Sequence, residues 1–202
     1  MYLTLSQLQA PPTLNFPFAL GPLREALRVI NVVLDCSECP KTSSTGMMNT
    51  ALVNTLMQAA AGRFRDAIDS IDHEADSAAS EGKKKRFDLG VADQATMHLH
   101  TGMPDCPGRF AVELEPDEWR SMSKRVVKVE VVGNSETQEN SLLGLVEKLE
   151  KRQQRWHADP EKTEEALRLM GINRCAEMAV KGDYYCLRFT GMVKDMIDMM
   201  TW

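Results

Sequence analysis

Apolar residues recur at helical spacing for about seven turns between Met48 and Ile71. Met48, Leu52, Leu56, Ala60, Phe64, Ala67, Ile68 and Ile71 form the stripe, while Arg63, Arg65, Asp66 and Asp69 fall mainly on the other side. A helix over roughly 46–73 with one apolar face must bury that face along its whole length. Its natural cover is another helix. Residues 23–35 supply one, with Leu23, Ala26, Leu27, Ile30 and Leu34 on a single face and Pro22 suited to its first turn. A short turn over 36–45 separates the two stretches, with Pro40 in it and Ser44 or Thr45 as the expected cap of the second helix. Two helices joined this way pack as an antiparallel hairpin.

Helical pattern continues further along. Glu115-Pro116-Asp117-Glu118 makes a helix start, and Trp119, Met122 and Val126 carry its stripe. Val127 to Val131 alternates with period two and is β-branched, which locally reads as a strand. A lone strand leaves its backbone groups unpaired, so helix is the expectation there. Residues 138–157 are helical, with Leu142, Leu145, Val146, Leu149 and Trp156 on one face. Asp159-Pro160-Glu161 opens another helix, which stops near Gly171. A last helical region covers roughly 172–200, with Gly182 placed to bend or divide it. Residues 1–22 hold four prolines and no charged side chain, and are expected to form an extended arm. Residues 75–108 break the pattern with small, charged, Gly and Pro residues, and are expected to form a long, mobile loop. The expected fold is one all-α domain over 23–202, of about five or six helices.

Charge and cysteine use narrow the function. The formal net charge of the 202 residues is −5, against the concentrated positive surface that phosphate binding requires. The one basic run is Lys83-Lys84-Lys85-Arg86, read as a solvated loop or as a nuclear-import signal. Five cysteines at wide spacing favour a reducing compartment, cytoplasmic or nuclear. No apolar run reaches the ~20 residues that span a bilayer.

Ile30-Asn31 through Cys36-x-x-Cys39, followed by the 46–73 helix, and Gly108-Arg-Phe-Ala-Val-Glu-Leu-Glu-Pro-Asp-Glu118 with the amphipathic residues after it, carry a likeness. This order resembles the regulatory half of fungal aflatoxin-regulatory-type zinc-cluster transcription factors. The two blocks cover about half of the chain. The end of the second helix departs from the family pattern, with Ala59-Ala-Ala-Gly-Arg-Phe64 in place of an aromatic-rich stretch, and the Met-rich tail has no counterpart. The resemblance implies a fungal source and a link to secondary metabolism. It does not imply DNA binding, because a zinc cluster needs six cysteines in a compact basic segment and this sequence contains none. The domain is then either cut from a larger regulator or a free-standing relative. It would act through a protein partner or a bound metabolite. The alternative is a cofactor-free cyclase or isomerase acting on a polyketide or phenolic metabolite.

Candidate side chains follow from residue chemistry. His98-x-His100, near Asp105 and Cys106, has titratable groups suited to proton transfer. Tyr184, Tyr185 and Arg188 could orient a phenol or a carboxylate. Phe189, Met192, Met196 and Met200 offer an adaptable apolar surface, as the lining of a ligand cavity or as a dimer interface. Cys36-x-x-Cys39 has metal or redox spacing but no second cysteine pair to complete a zinc site, and burial is the ordinary role of such residues. His73 and His157 are expected near helix C-termini, where a positive charge suits the dipole, with no further role. No Gly-rich phosphate loop, nucleophile elbow or dinucleotide fingerprint is present, so no nucleotide cofactor is implied.

Overall fold

A computed structural model describes residues 1–9, 15–38, 41–90, 109–170 and 184–202. Seven α-helices are present among them: α1 (Tyr2–Gln9), α2 (Leu20–Asp35), α3 (Ser43–Glu81), α4 (Pro116–Val132), α5 (Leu142–His157), α6 (Pro160–Met170) and α7 (Tyr185–Asp198). The only sheet among the described residues is an antiparallel pair, β1 (Lys85–Gly90) with β2 (Arg109–Leu114), in the register Lys85 to Leu114 and Gly90 to Arg109. The fold is all-α apart from that ribbon.

Helix α3 is the spine. Its 39 residues span about 58 Å. Thr42, rather than Ser44 or Thr45, is its N-cap, accepting from the Thr45 N–H at 3.3 Å. Gly82 ends it in the left-handed region at φ 63°, which a residue without Cβ adopts freely. The buried face of α3 begins as Thr50, Val53, Asn54 and Met57, then continues as Ala60, Phe64, Ile68 and Ile71. The expected stripe is therefore right from Leu56 onward and rotated before it, where Met48 is exposed. Helix α2 buries all five expected positions against the common core.

Three expectations are corrected. The N-terminal 22 residues are not simply extended: α1 buries Thr4 and Leu8, and the Leu8 carbonyl accepts from Arg63 Nε at 2.6 Å. The break expected from residue 75 falls later, because Ala75 and Ala78 keep the α3 stripe going for two more turns. Beyond Gly82 the chain turns into β1, where Phe87 is buried against Phe16, ring centroids 6.3 Å apart. Residues 91–108 lie outside the described residues. The basic run belongs to this turn and strand, not to a free loop, and each member is ion-paired: Lys83 with Glu81, Lys84 with Glu115, Lys85 with Glu74 and Arg86 with Asp88.

The Val127–Val131 stretch is helical, as expected. Trp119, Ser123, Val127 and Val131 form the buried i, i+4 row of α4, so packing overrides β-propensity. Met122 is exposed instead. Glu118 reaches back to the Glu115 N–H at 3.3 Å, and Pro116 sits in the first turn. Arg120 and Lys124 tie α4 to α3 through Asp76 at 2.5 Å and Asp72 at 2.9 Å. Helix α5 is capped by Ser141, whose Oγ accepts from Gly144 N, and buries Leu142, Leu145, Val146 and Leu149. No described helix is long and apolar enough to cross a membrane.

Candidate functional site

A histidine, a cysteine, a tyrosine and a tryptophan meet where the last turn of α5 touches the first turn of α7. The two helices run antiparallel. Lys194 and Glu150 pair at 2.6 Å along their length, and His157 meets Cys186 at the end. The local sequence builds this corner. Helix α5 stops at His157, and Asp159 caps α6 by accepting from the Glu161 N–H at 3.0 Å. Thr163 Oγ1 donates to the His157 carbonyl at 3.2 Å, which holds the end of α5 against the start of α6. Tyr184 holds the N-cap position of α7 with extended backbone, φ −85° and ψ 131°, and its side chain makes no capping hydrogen bond.

His157 is enclosed on three sides. The Tyr184 ring stacks on it at a centroid distance of 3.6 Å and an interplanar angle of 12°. Trp156 meets it edge-on at 5.3 Å. Its Nε2 is 3.0 Å from Cys186 Sγ; the tautomer decides which of the two donates, and neither form carries charge. Burial lowers the histidine pKa below its ordinary value and pushes the thiol up to about 11. Both groups are therefore neutral at pH 7. A thiol held protonated is a poor nucleophile, so this is not an activated Cys–His pair. The Trp156 Nε1 donor is buried and without a hydrogen-bond partner among the described residues. The corner thus offers neutral, polarizable surfaces, an imidazole competent in proton exchange and an indole donor.

The predicted residues divide. Tyr184 is at the corner, against His157. Tyr185 begins α7, and its side chain lies outside the described residues. Arg188, one turn on, is exposed and takes part in an interaction of its own. Phe189 and Met192 are exposed, Met196 is partly buried and Met200 is buried at 5% exposure. The face of α7 that meets the core is Thr190, Val193 and Ile197, and Met200, two residues past its end, is buried with them. Phe189 and Met192 therefore do not line an internal cavity with Met200. His98, His100 and Cys39 lie outside the described residues. Cys36 follows α2, half-buried.

His157 and Cys186 were not expected as a pair. Twenty-nine positions separate them, and no local pattern links a helix C-terminus to a first-turn cysteine. The legible clue was chemical: one helix ending in Trp-His and another opening with Tyr-Tyr-Cys. His73 is not at a C-terminus, because α3 runs on to Glu81.

Comparison of the chain with protein-family models, with curated proteins and with solved structures finds no match.

Proposed function

We propose that this chain is a helical regulatory domain of fungal secondary metabolism, similar to that of aflatoxin-regulatory-type factors, which responds to a bound small molecule through the Tyr184–His157–Trp156 corner. The carrying observation is the state of that corner. A neutral imidazole stacked on tyrosine, a protonated thiol and an indole N–H without a partner among the described residues suit a planar, uncharged, hydrogen-bonding ligand such as a phenol. The α2–α3 helical hairpin, which carries the first block of the family likeness, supports the same reading. Direct nucleic-acid binding is disfavoured by the charge balance and by the ion pairing of the whole Lys83–Arg86 run. The expected residence is cytoplasmic or nuclear.

A second reading rests on His157. A neutral, enclosed imidazole near physiological pH is a competent general base, so the corner could serve a cofactor-free cyclase or isomerase acting on a polyketide or phenolic substrate. Gene deletion separates the two. Loss of a regulator lowers the transcripts of a whole pathway. Loss of an enzyme leaves transcripts intact and one intermediate accumulating. Unchanged transcripts would sink the regulatory reading.

A further inference from the structure

Helix α7, with Met199 and Met200 just past its end, carries two apolar faces, and the core uses chiefly one. Thr190, Val193, Ile197 and Met200 point inward. Phe189, Met192, Met196 and Met199 follow the same 3-4-3 spacing one residue out of step, which sets their face about 100° around the helix. Three of its four members are open, Phe189 at 41% exposure, Met192 at 51% and Met199 at 66%, while Met196, at the side nearer the core, is partly buried against it. Spacing of three and four is the seam spacing of paired helices. Along the outer edge of this face stand Arg188 and, seven residues later, Asp195, both exposed and on the same side of the helix about 10 Å apart.

We propose that this outer face is an isologous interface which pairs α7 with α7 of a second copy of the chain, antiparallel about a two-fold axis. The occupant follows from charge. One edge carries one positive and one negative group, so reversing a second copy brings Arg188 toward Asp195 of its partner and repeats the pairing by symmetry. A parallel copy would bring like charges together. The other edge cannot contribute, because it is the side already turned to the core. Arg188 has a contact within its own chain, and a guanidinium has donors enough for both. Flexible methionines suit a surface that must be stable both bare and covered.

Sedimentation equilibrium of the full chain tests this, with circular dichroism to verify that each variant keeps its helicity. The wild type is expected to associate reversibly to a dimer. Met192→Glu, at an exposed position, is expected to leave a folded monomer. Asp195→Arg is expected to weaken association at least about tenfold by setting like charges together. The double variant Arg188→Asp with Asp195→Arg restores the pairing with reversed signs and is expected to dimerise again. A wild type that stays monomeric to its solubility limit overturns the proposal. So does a dimer indifferent to Met192→Glu, or a double variant that stays as weak as Asp195→Arg.

Discussion

His157 Nε2 and Cys186 Sγ stand 3.0 Å apart, and through that contact the last turn of α5 is joined to the first turn of α7. Both groups are uncharged at neutral pH because burial opposes the imidazolium and the thiolate alike. Neither group is therefore a charged nucleophile at that pH.

Cysteine chemistry at this corner should be slow. The Cys186 thiol is raised from 9.0 to about 11, so its protonated form is favoured by folding. The stabilisation is present below about pH 9 and is lost as pH rises through the folded value. Alkylation of Cys186 by iodoacetamide, followed by peptide mass spectrometry, should rise with pH toward a midpoint near 11. A midpoint at or below the ordinary thiol value would show an activated cysteine instead.

His157 sets the opposite slope. Its folded pKa lies below the ordinary 6.5, so the neutral ring is favoured by folding. That contribution is present above 6.5 and is lost as pH falls through the folded value. Thermal melts of wild type and His157→Gln, compared from about pH 8 to about pH 5, should show the wild type losing ground as acid is added. A difference that stays flat, or that grows in favour of wild type, contradicts the burial described.

Asn54 sits in the α3 core at 2% exposure, and neither amide atom has a partner among the described residues. One turn before it, Thr50 is satisfied by Gln153 at 2.9 Å. Replacing Asn54 with Leu, which shares its branching, removes two buried, unpaired polar atoms, so a gain of about 1–3 kcal/mol is expected. Chemical denaturation measures it. A loss of stability would mean that the amide makes contacts the structure does not contain.

The two faces of α7 should differ sharply on truncation. Met200→Ala opens the core and is expected to cost about 2–5 kcal/mol. Met192→Ala, on the open face, is expected to change the stability of the separated chain by under about 0.5 kcal/mol. Urea titration at low protein concentration compares them. Equal losses would mean that both faces are packed within one chain.

Helical periodicity made most of this architecture legible, because an i, i+3, i+4 row is a local property of sequence. Leu23, Ile30, Phe64 and Leu149 are buried where their spacing places them. Met192 and Met200 show where periodicity stops helping. On a helix with two apolar faces, spacing names both and does not say which one the core takes. Period two was present in Arg86-Phe-Asp and in Ala111-Val-Glu-Leu, but the charged and glycine-bearing residues around each strand hid it. The His157–Cys186 contact depends on how α5 and α7 cross, which tertiary packing fixes and neither segment encodes alone.

Ligand capture at the corner is the most direct test of the proposed role. Isothermal titration of the full chain with a naphthol, a planar uncharged phenol, should show saturable binding near neutral pH. Tyr184→Ala and His157→Ala should each weaken it about tenfold or more, since each removes one ring of the stacked pair on which the ligand would rest. Phe189→Ala, on the outer face of α7, should leave it unchanged. No saturable heat with wild type, or binding that Tyr184→Ala and His157→Ala leave intact, would contradict a small-molecule site at the meeting of α5 and α7.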